Sequence, residues 1–416
     1  MTDDHPAGEL SRAWGSIGTT GSVQLEAVEL WRVELPFVRP VATAKGVHRS
    51  RPLVLVKVIG RADGGRDGGE TLEGWGECAA LADATYDHED VNGSFRALQQ
   101  ELVPALFDLA ARAGPARSGP RLPPPSELAP VREVAPQAPL AFAALEMAAV
   151  DAHLRAEHRS LADVLGVGGR EVDLGAVVGQ TDSIEALVEM ARELAASGFR
   201  RLKMKIGMGW DVVPIKAVTE AVPQLRLQVD ANGAYAEADI AHLAELDRFS
   251  LLCVEQPFDP PGLEAHARLA GRITTPVCLD ESLDSPATVE RALALGACSV
   301  VCVKPARLGG LGAALQVIES CAARRVPLWM GGMFESGYAR GVNTTLAALP
   351  GFSWPGDLSP TRTYLDDDVV PGPRLSRSGP DGGLTALVPA GKGMGPPPDP
   401  ERLHRLNAQC VRIEAP

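Results

Sequence analysis

The chain is 416 residues long, 45 % hydrophobic and 22 % charged, with a formal charge of −13. That length and apolar content suit two domains or one large barrel with additions. Acidic charge spread along the chain without a basic block sets nucleic acid aside as a partner. The opening MTDDHPAGELSRAWGS has no apolar run behind a basic start, and no later stretch reaches the roughly 18 uninterrupted apolar residues of a membrane span, so a soluble cytoplasmic protein without membrane contact is expected. The seven cysteines, at 78, 253, 278, 298, 302, 321 and 410, form no CxxC pair and no Cys/His cluster; they are expected to be reduced and mostly buried.

Residues 1–22 are rich in Gly, Ser and Thr and read as a disordered tail. VQLEAVELWRVEL and PLVLVKVIG then alternate as strands do, and the glycine-rich RADGGRDGGETLEG before GWGECAAL reads as a long hairpin tip. SFRALQQELVPALFDLAARA has helical spacing. It is followed by the proline-dense GPARSGPRLPPPSELAP, read as a surface insertion, and by a second helical stretch, APLAFAALEMAAVDAHLRAEHRSLADVLG. Residues 23–168 are therefore expected to form a small α+β domain.

From residue 169 the texture changes to short β-branched runs separated by amphipathic stretches such as SIEALVEMARELAASG. The runs are VDLGAVVG, RLKMKIG, LRLQVDAN, LLCVEQPF, PVCLDESL, SVVCVKPA and VPLWMGGM, with a weaker eighth near FSWPGDLS. Seven or eight such units over residues 169–371 fit a TIM-type (β/α) barrel better than an open doubly wound sheet. The Gly/Pro-rich residues 372–416 are expected to pack back on the first domain and complete it.

The charged residues within those apolar runs carry the functional signal. Lys203 and Lys205 lie in RLKMKIG, Asp230 ends LQVD, Glu255 ends CVE, Asp280 ends CLD and Lys304 ends CVK, with steps of 25, 25, 25 and 24 residues from Lys205 onward. In a (β/α) barrel the C-terminal strand ends ring the mouth where active sites are built, so one repeat length brings all six groups together. Lys203 and Lys205 are two apart on a strand and share a face. Three buried carboxylates repel one another unless paired or metal-bound, and oxygen ligands without His or Cys suit Mg²⁺, with Mn²⁺ as an acceptable substitute. Ordinary ion pairing between the acids and the lysines is the competing reading, stronger for any single acid than for the set. A metal holding a substrate carboxylate stabilises the enediolate formed on loss of the α-proton. Lys205 is then the candidate base, with Lys203 and the metal supplying the like charge that helps it release its own proton. Lys304 is a second base or a stabilising cation. Arg307, three residues on, either bears on that choice or is a loop arginine paired to an acid.

With these residues in hand, the chain from about residue 23 resembles the enolase superfamily, muconate lactonizing enzyme subgroup, a group in which a lysine base works with Mg²⁺. The passages PFVRPVATAKG, GWGECAAL, GGMFESGYARGVNTTLAALPGF and PGDLS are most similar to the branch of o-succinylbenzoate synthases and N-succinylamino acid racemases. The resemblance implies an α+β domain capping the barrel, with the loop after Pro36 and the loop around Asp83 to Asp90 closing over the substrate. It also implies substrate contacts from Asn232, Gly332, Met333 and Tyr86; for Tyr86 a plain surface aromatic is the alternative. The expected partners are a small carboxylate substrate and further copies of the chain. The first activity implied is dehydration of 2-succinyl-6-hydroxy-2,4-cyclohexadiene-1-carboxylate in menaquinone biosynthesis. Racemisation of N-acylamino acids is second, with a dipeptide epimerase, a cycloisomerase or a non-catalytic binding protein behind. RLGGLGAAL is not a dinucleotide fingerprint but a tight βα turn. His153 and His158, five apart on a helix, do not share a face as ligands would.

Overall fold

The computed structural model describes all residues except 1–7, 44–45, 63–68, 85, 114–118, 261 and 379–381. The tip of the glycine-rich hairpin and the first part of the proline-dense insertion fall largely in the excluded stretches. Residues 9–22 correct the expectation of a disordered tail. Glu9–Gly15 form a helix, α1, which buries Leu10. Its Ser11 hydroxyl donates to Glu319 at 2.5 Å, so the tail is docked rather than free.

The first domain starts with β1 (Val23–Thr43), β2 (Gly46–Ala62) and β3 (Thr71–Cys78), a meander in which β1 pairs antiparallel with β2 and β2 with β3. Against it packs α2 (Pro139–Ala156), whose residues 140 to 154 are all buried. Two glycines of β3 let this helix lie on the sheet: a Cβ on Gly74 or on Gly76 would strike the backbone carbonyl of Ala148 or of Ala144.

After β4 (Glu171–Asp173) come seven parallel strands: β5 (Gly175–Val178), β6 (Arg201–Lys205), β7 (Arg226–Asp230), β8 (Val254–Glu255), β9 (Val277–Leu279), β10 (Val300–Val303) and β11 (Leu328–Met330), ordered as they occur in the chain. The weak eighth candidate is not a regular strand, yet it closes the ring. Phe352 bridges in parallel to Leu328, Gly356 bridges to Leu174, and the Gly175 N–H donates to the Gly356 carbonyl at 2.8 Å. A proline at 355 and glycines at 351 and 356 explain why this segment makes single bridges instead of a ladder.

The C-terminal stretch divides, where the sequence suggested one block returning to the first domain. β12 (Leu375–Ser378) and β13 (Gly383–Leu387) form a small sheet with β4. Beyond them the chain does return to the cap: the Met394 N–H donates to Asp151 of α2 at 2.7 Å, and β14 (Gln409–Glu414) pairs antiparallel with β1. All seven cysteines are free, six of them buried and Cys410 exposed. Among the described residues, no helix is long and apolar enough to cross a membrane.

Candidate active site at the barrel mouth

In this eight-position ring β6 is the second position and β10 the sixth, so Lys203 and Lys205 stand on the wall opposite Lys304. The register Lys205↔Asp230 and Asp230↔Glu255 sets the first lysine wall level with two of the acids. Asp230, Glu255 and Asp280 are all essentially without solvent exposure.

Lys203 is the hub of the first wall. Its Nζ lies 3.2 Å from Asp230 Oδ2, 3.2 Å from Glu255 Oε2 and 2.7 Å from Asp357 Oδ2. Burial alone would drive this ammonium down. The charges of Asp357, Glu255 and Asp230 outweigh it and hold Lys203 well above the usual lysine range, so it is a fixed cation. Lys205 differs: its side chain is 29 % exposed, and its Nζ donates to Asp230 Oδ2 at 2.7 Å and to Asn232 Oδ1 at 2.5 Å. Asn232 has φ +43°, an uncommon conformation for a residue other than glycine, and its amide also donates to Glu281 at 2.7 Å.

On the opposite wall Lys304 is buried, with Nζ 2.7 Å from Asp280 Oδ2 and 3.0 Å from the Tyr86 hydroxyl. The stem of Lys304 fills space left by a glycine: a Cβ on Gly331 would sit 2.5 Å from Lys304 Cε. Arg307 bonds the other Asp280 oxygen and reaches Asp87 at 3.3 Å. Against its burial, Asp280 is held well below the usual carboxylate range by Arg307 and Lys304. Arg307 does press the Lys304 ammonium downward, but Asp280 more than offsets both that repulsion and burial, leaving Lys304 above its ordinary value. Tyr86 comes from the cap and is no surface aromatic. Its hydroxyl donates to Asp280 Oδ2 at 2.7 Å, and burial followed by the Asp280 charge keeps it a phenol.

The acids could hold a cation. Glu255 is pushed well above the carboxylate range by burial and then by the charge of Asp230, against the pull of Lys203. Such crowding of buried carboxylates is relieved by a divalent ion. Oxygens of Glu255 and Asp280 lie with Cys302 Sγ inside a 4.8 Å span. Burial keeps the Cys302 thiol well above its normal range, so it is neutral, and a hard ion prefers oxygen. Asp230 shares the Lys203 ammonium with Glu255, which makes an oxygen-only set of Asp230, Glu255 and Asp280 the better match to magnesium chemistry.

Two further residues expected to contact substrate, Met333 and Gly332, follow β11. Met333 is buried in the cap's apolar cluster, and its N–H donates to Glu335 at 2.9 Å. Gly332 is packed against the Asp357 carbonyl, where a Cβ would come within 2.9 Å. The structure also adds residues that sequence reasoning passed over. Asp357, on the closing segment, pairs with Lys203 and Arg201 and is held well below the usual range by them despite burial. Gln228 bridges Arg201 to Glu255, at 3.1 and 2.7 Å. Arg201 and Gln228 stand two residues before Lys203 and Asp230, and the alternation that puts Lys203 and Lys205 on one face puts these on it as well.

A closed ring of parallel strands, a cap that reaches into its mouth, and acids and lysines on successive strand ends define a class, and the chain belongs to the enolase superfamily: residues 186–402 match the family model described as Enolase C-terminal domain-like. Among curated relatives, the chain is 39 % identical to an N-succinylamino acid racemase from Amycolatopsis over 94 % of its own length and 100 % of the relative's. It is 35 % identical to an o-succinylbenzoate synthase from Geobacillus kaustophilus, covering 84 % of this chain and 88 % of that one. A solved enolase-superfamily structure from Listeria innocua superposes with a TM-score of 0.83 at 29 % identity, covering 95 % of this chain and all of the other.

Proposed function

We propose that the protein is an o-succinylbenzoate synthase, dehydrating 2-succinyl-6-hydroxy-2,4-cyclohexadiene-1-carboxylate in menaquinone biosynthesis. The observation that carries this reading is the meeting of Lys205 and Lys304 on one carboxylate cluster from opposite walls. The named relatives of the synthase type support it, and a small carboxylate is the substrate class. Asp230, Glu255 and Asp280 would hold Mg²⁺, for which Mn²⁺ could substitute. When bound, the ion withdraws electrons from the substrate carboxylate and so acidifies the neighbouring C–H bond.

Lys205 is the base. Having released one proton to solvent, it leaves Asp230 as a free amine and takes the α-proton onto Nζ, while the C–H electron pair moves toward the carboxylate. Lys203, locked by Asp357 and Glu255, stays charged beside it. The C–O bond to the ring hydroxyl then breaks as the ring becomes aromatic, and Lys205 returns its proton so that water leaves. Asn232 holds Lys205 on line through its side-chain oxygen. Lys304 stands opposite as a cation, with Tyr86 and Arg307 around it; Tyr86 also faces the substrate, and Gly332 and Met333 shape that wall from behind.

A second reading, racemisation of N-succinylamino acids, is favoured by Lys304 itself, since a base on each face is what inversion at carbon requires, and by the name of the Amycolatopsis relative. One experiment separates the two. The Mg²⁺-loaded protein is assayed in parallel for aromatisation by ultraviolet absorbance and for racemisation of N-succinyl-phenylalanine by polarimetry. Efficient dehydration with slow racemisation is expected. The reverse ratio makes the protein a racemase, and no turnover in either rejects both.

A further inference from the structure

The segment that follows Lys304 is held by the cap in two places, and only one of them is at the active site. Lys304 is followed by a single turn, α3 (Pro305–Leu308), then by Gly309 and Gly310, and then by the long helix α4 (Leu311–Ala323). At the mouth, Tyr86 and Asp87 of the cap bond Lys304 and Arg307. At the other end, Glu146 projects from the middle of α2 and accepts the backbone N–H groups of Leu311 and Gly312, the first two of α4. These are amides that a helix cannot satisfy itself, and the positive end of its dipole favours a carboxylate.

The two glycines are shaped for this contact. Gly309 has φ +89° and Gly310 φ +117°, both in the region that disfavours side chains. A Cβ on Gly309 would collide with the guanidinium of Arg132, and one on Gly310 would collide with the Glu146 carboxylate. Each glycine thus admits one charged side chain of the cap. Glu146 is almost completely buried, on a helix whose buried side chains are mostly apolar, Asp151 and His153 apart. A carboxylate is costly in such a place unless it is hydrogen-bonded. Packing on β3 does not call for it, because α2 meets β3 through alanines, glycines and the Asp151 bond to the Trp75 N–H, whereas Glu146 reaches α4.

We infer that Glu146 is a positioning residue for the Lys304 side of the reaction: by fixing the start of α4 it fixes the turn that aims Lys304 and Arg307 at the cluster. The inference rests on the proposed proton-transfer chemistry but not on which substrate is preferred. At the β6 end, among the described residues, Lys205 is held by Asp230 and Asn232, both of the barrel.

The test compares α-proton exchange in D₂O for each enantiomer of N-succinyl-phenylalanine, followed by proton NMR on the Mg²⁺-loaded protein. The exchange that survives in Lys205→Ala and the one that survives in Lys304→Ala assign one enantiomer to each lysine. Glu146→Ala is expected to slow Lys304-side exchange by about tenfold or more, as small misplacements of catalytic groups do, while Lys205-side exchange changes by less than about twofold. Glu146→Gln, which keeps an acceptor, is expected to restore most of the loss. Asp151→Asn serves as the matched control. Asp151 is equally buried on α2 but bonds Trp75, Met394 and Arg155, away from the Lys304 segment, so the ratio of the two exchanges should not move. Equal slowing on both sides, or none, overturns the inference. If the wild type shows no Lys304-side exchange, amide hydrogen exchange decides the geometry: Glu146→Ala should unprotect residues 304–312 while β6 stays protected, and unchanged protection there overturns the positioning role; exchange of neither enantiomer makes the functional reading itself fail first.

Discussion

The two lysine walls are built from different stock. Lys205 is partly exposed and is held by neighbours from the barrel, Asp230 and Asn232, whereas Lys304 is buried and is surrounded by groups from both domains. Asp280 on the Lys304 side is already claimed by a lysine, an arginine and a phenol; Asp230 on the other side is shared by two lysines, one of them partly exposed. The contrast teaches a division of labour. A base must let go of its partner and gain access to carbon, which suits Lys205, while a group that stabilises charge gains from being held still, which suits Lys304.

The sharpest way to break this contrast is Lys205→Ala. Turnover should fall by at least about 10²–10⁴-fold for dehydration and racemisation alike, with Mg²⁺ binding by calorimetry retained. Full activity in that variant removes the mechanism. Lys304→Ala should eliminate racemisation but leave measurable dehydration, because a stationary cation need not transfer protons; equal loss of both would make the walls equivalent. Asp230→Asn should weaken Mg²⁺ by more than the roughly 10–100-fold that follows loss of an outer-shell partner, since it removes a proposed ligand.

The smallest effect concerns the cap. Glu77, Glu89 and Glu146 are each pushed up to about 7 by burial, with backbone and side-chain hydrogen bonds opposing. A carboxyl raised above its unfolded value stabilises the fold most when protonated. Its contribution is therefore complete below the unfolded value near 4.5 and is lost as pH rises through about 7, on the order of 1 kcal/mol or more for each group. The melting midpoint should fall between about pH 5 and 8, and Glu146→Gln should flatten part of that slope. Glu77 receives the Ser336 N–H at 2.9 Å and Glu146 that of Leu311, so two of the three straddle the seam between cap and barrel.

Much of the barrel site was legible because a strand-and-helix unit of nearly constant length converts sequence spacing into a ring of positions. Lys203, Lys205, Asp230, Glu255, Asp280 and Lys304 follow from that period. Arg201 and Gln228 were equally legible by strand alternation but attract less notice than acids ending a run. Asp357 lay inside the weak eighth candidate but was not singled out, because that segment, with a proline and two glycines, closes the ring by isolated bridges and does not place its acid at the end of an apolar run. The cap's contributions were the least legible. Glu146 lies in a helix with no polar face, so periodicity says nothing of where it points, and its partners are backbone amides more than 160 residues away. The helix Glu9–Gly15 was missed for a related reason: seven residues have little helical preference of their own and depend on the surface they dock against.

The pairing of β14 with β1 also bears on the order in which the molecule is made. The strand that completes the cap's sheet, Gln409–Glu414, leaves the ribosome after every strand of the barrel, long after its partner in β1. During synthesis the β1 edge therefore waits, unpaired, until the whole barrel has emerged, the kind of delayed long-range closure that slows folding and leaves an edge open to wrong partners. Deleting residues 409–414 would make that waiting permanent, and would strike the sheet beneath α2 although no residue of the barrel mouth had been touched.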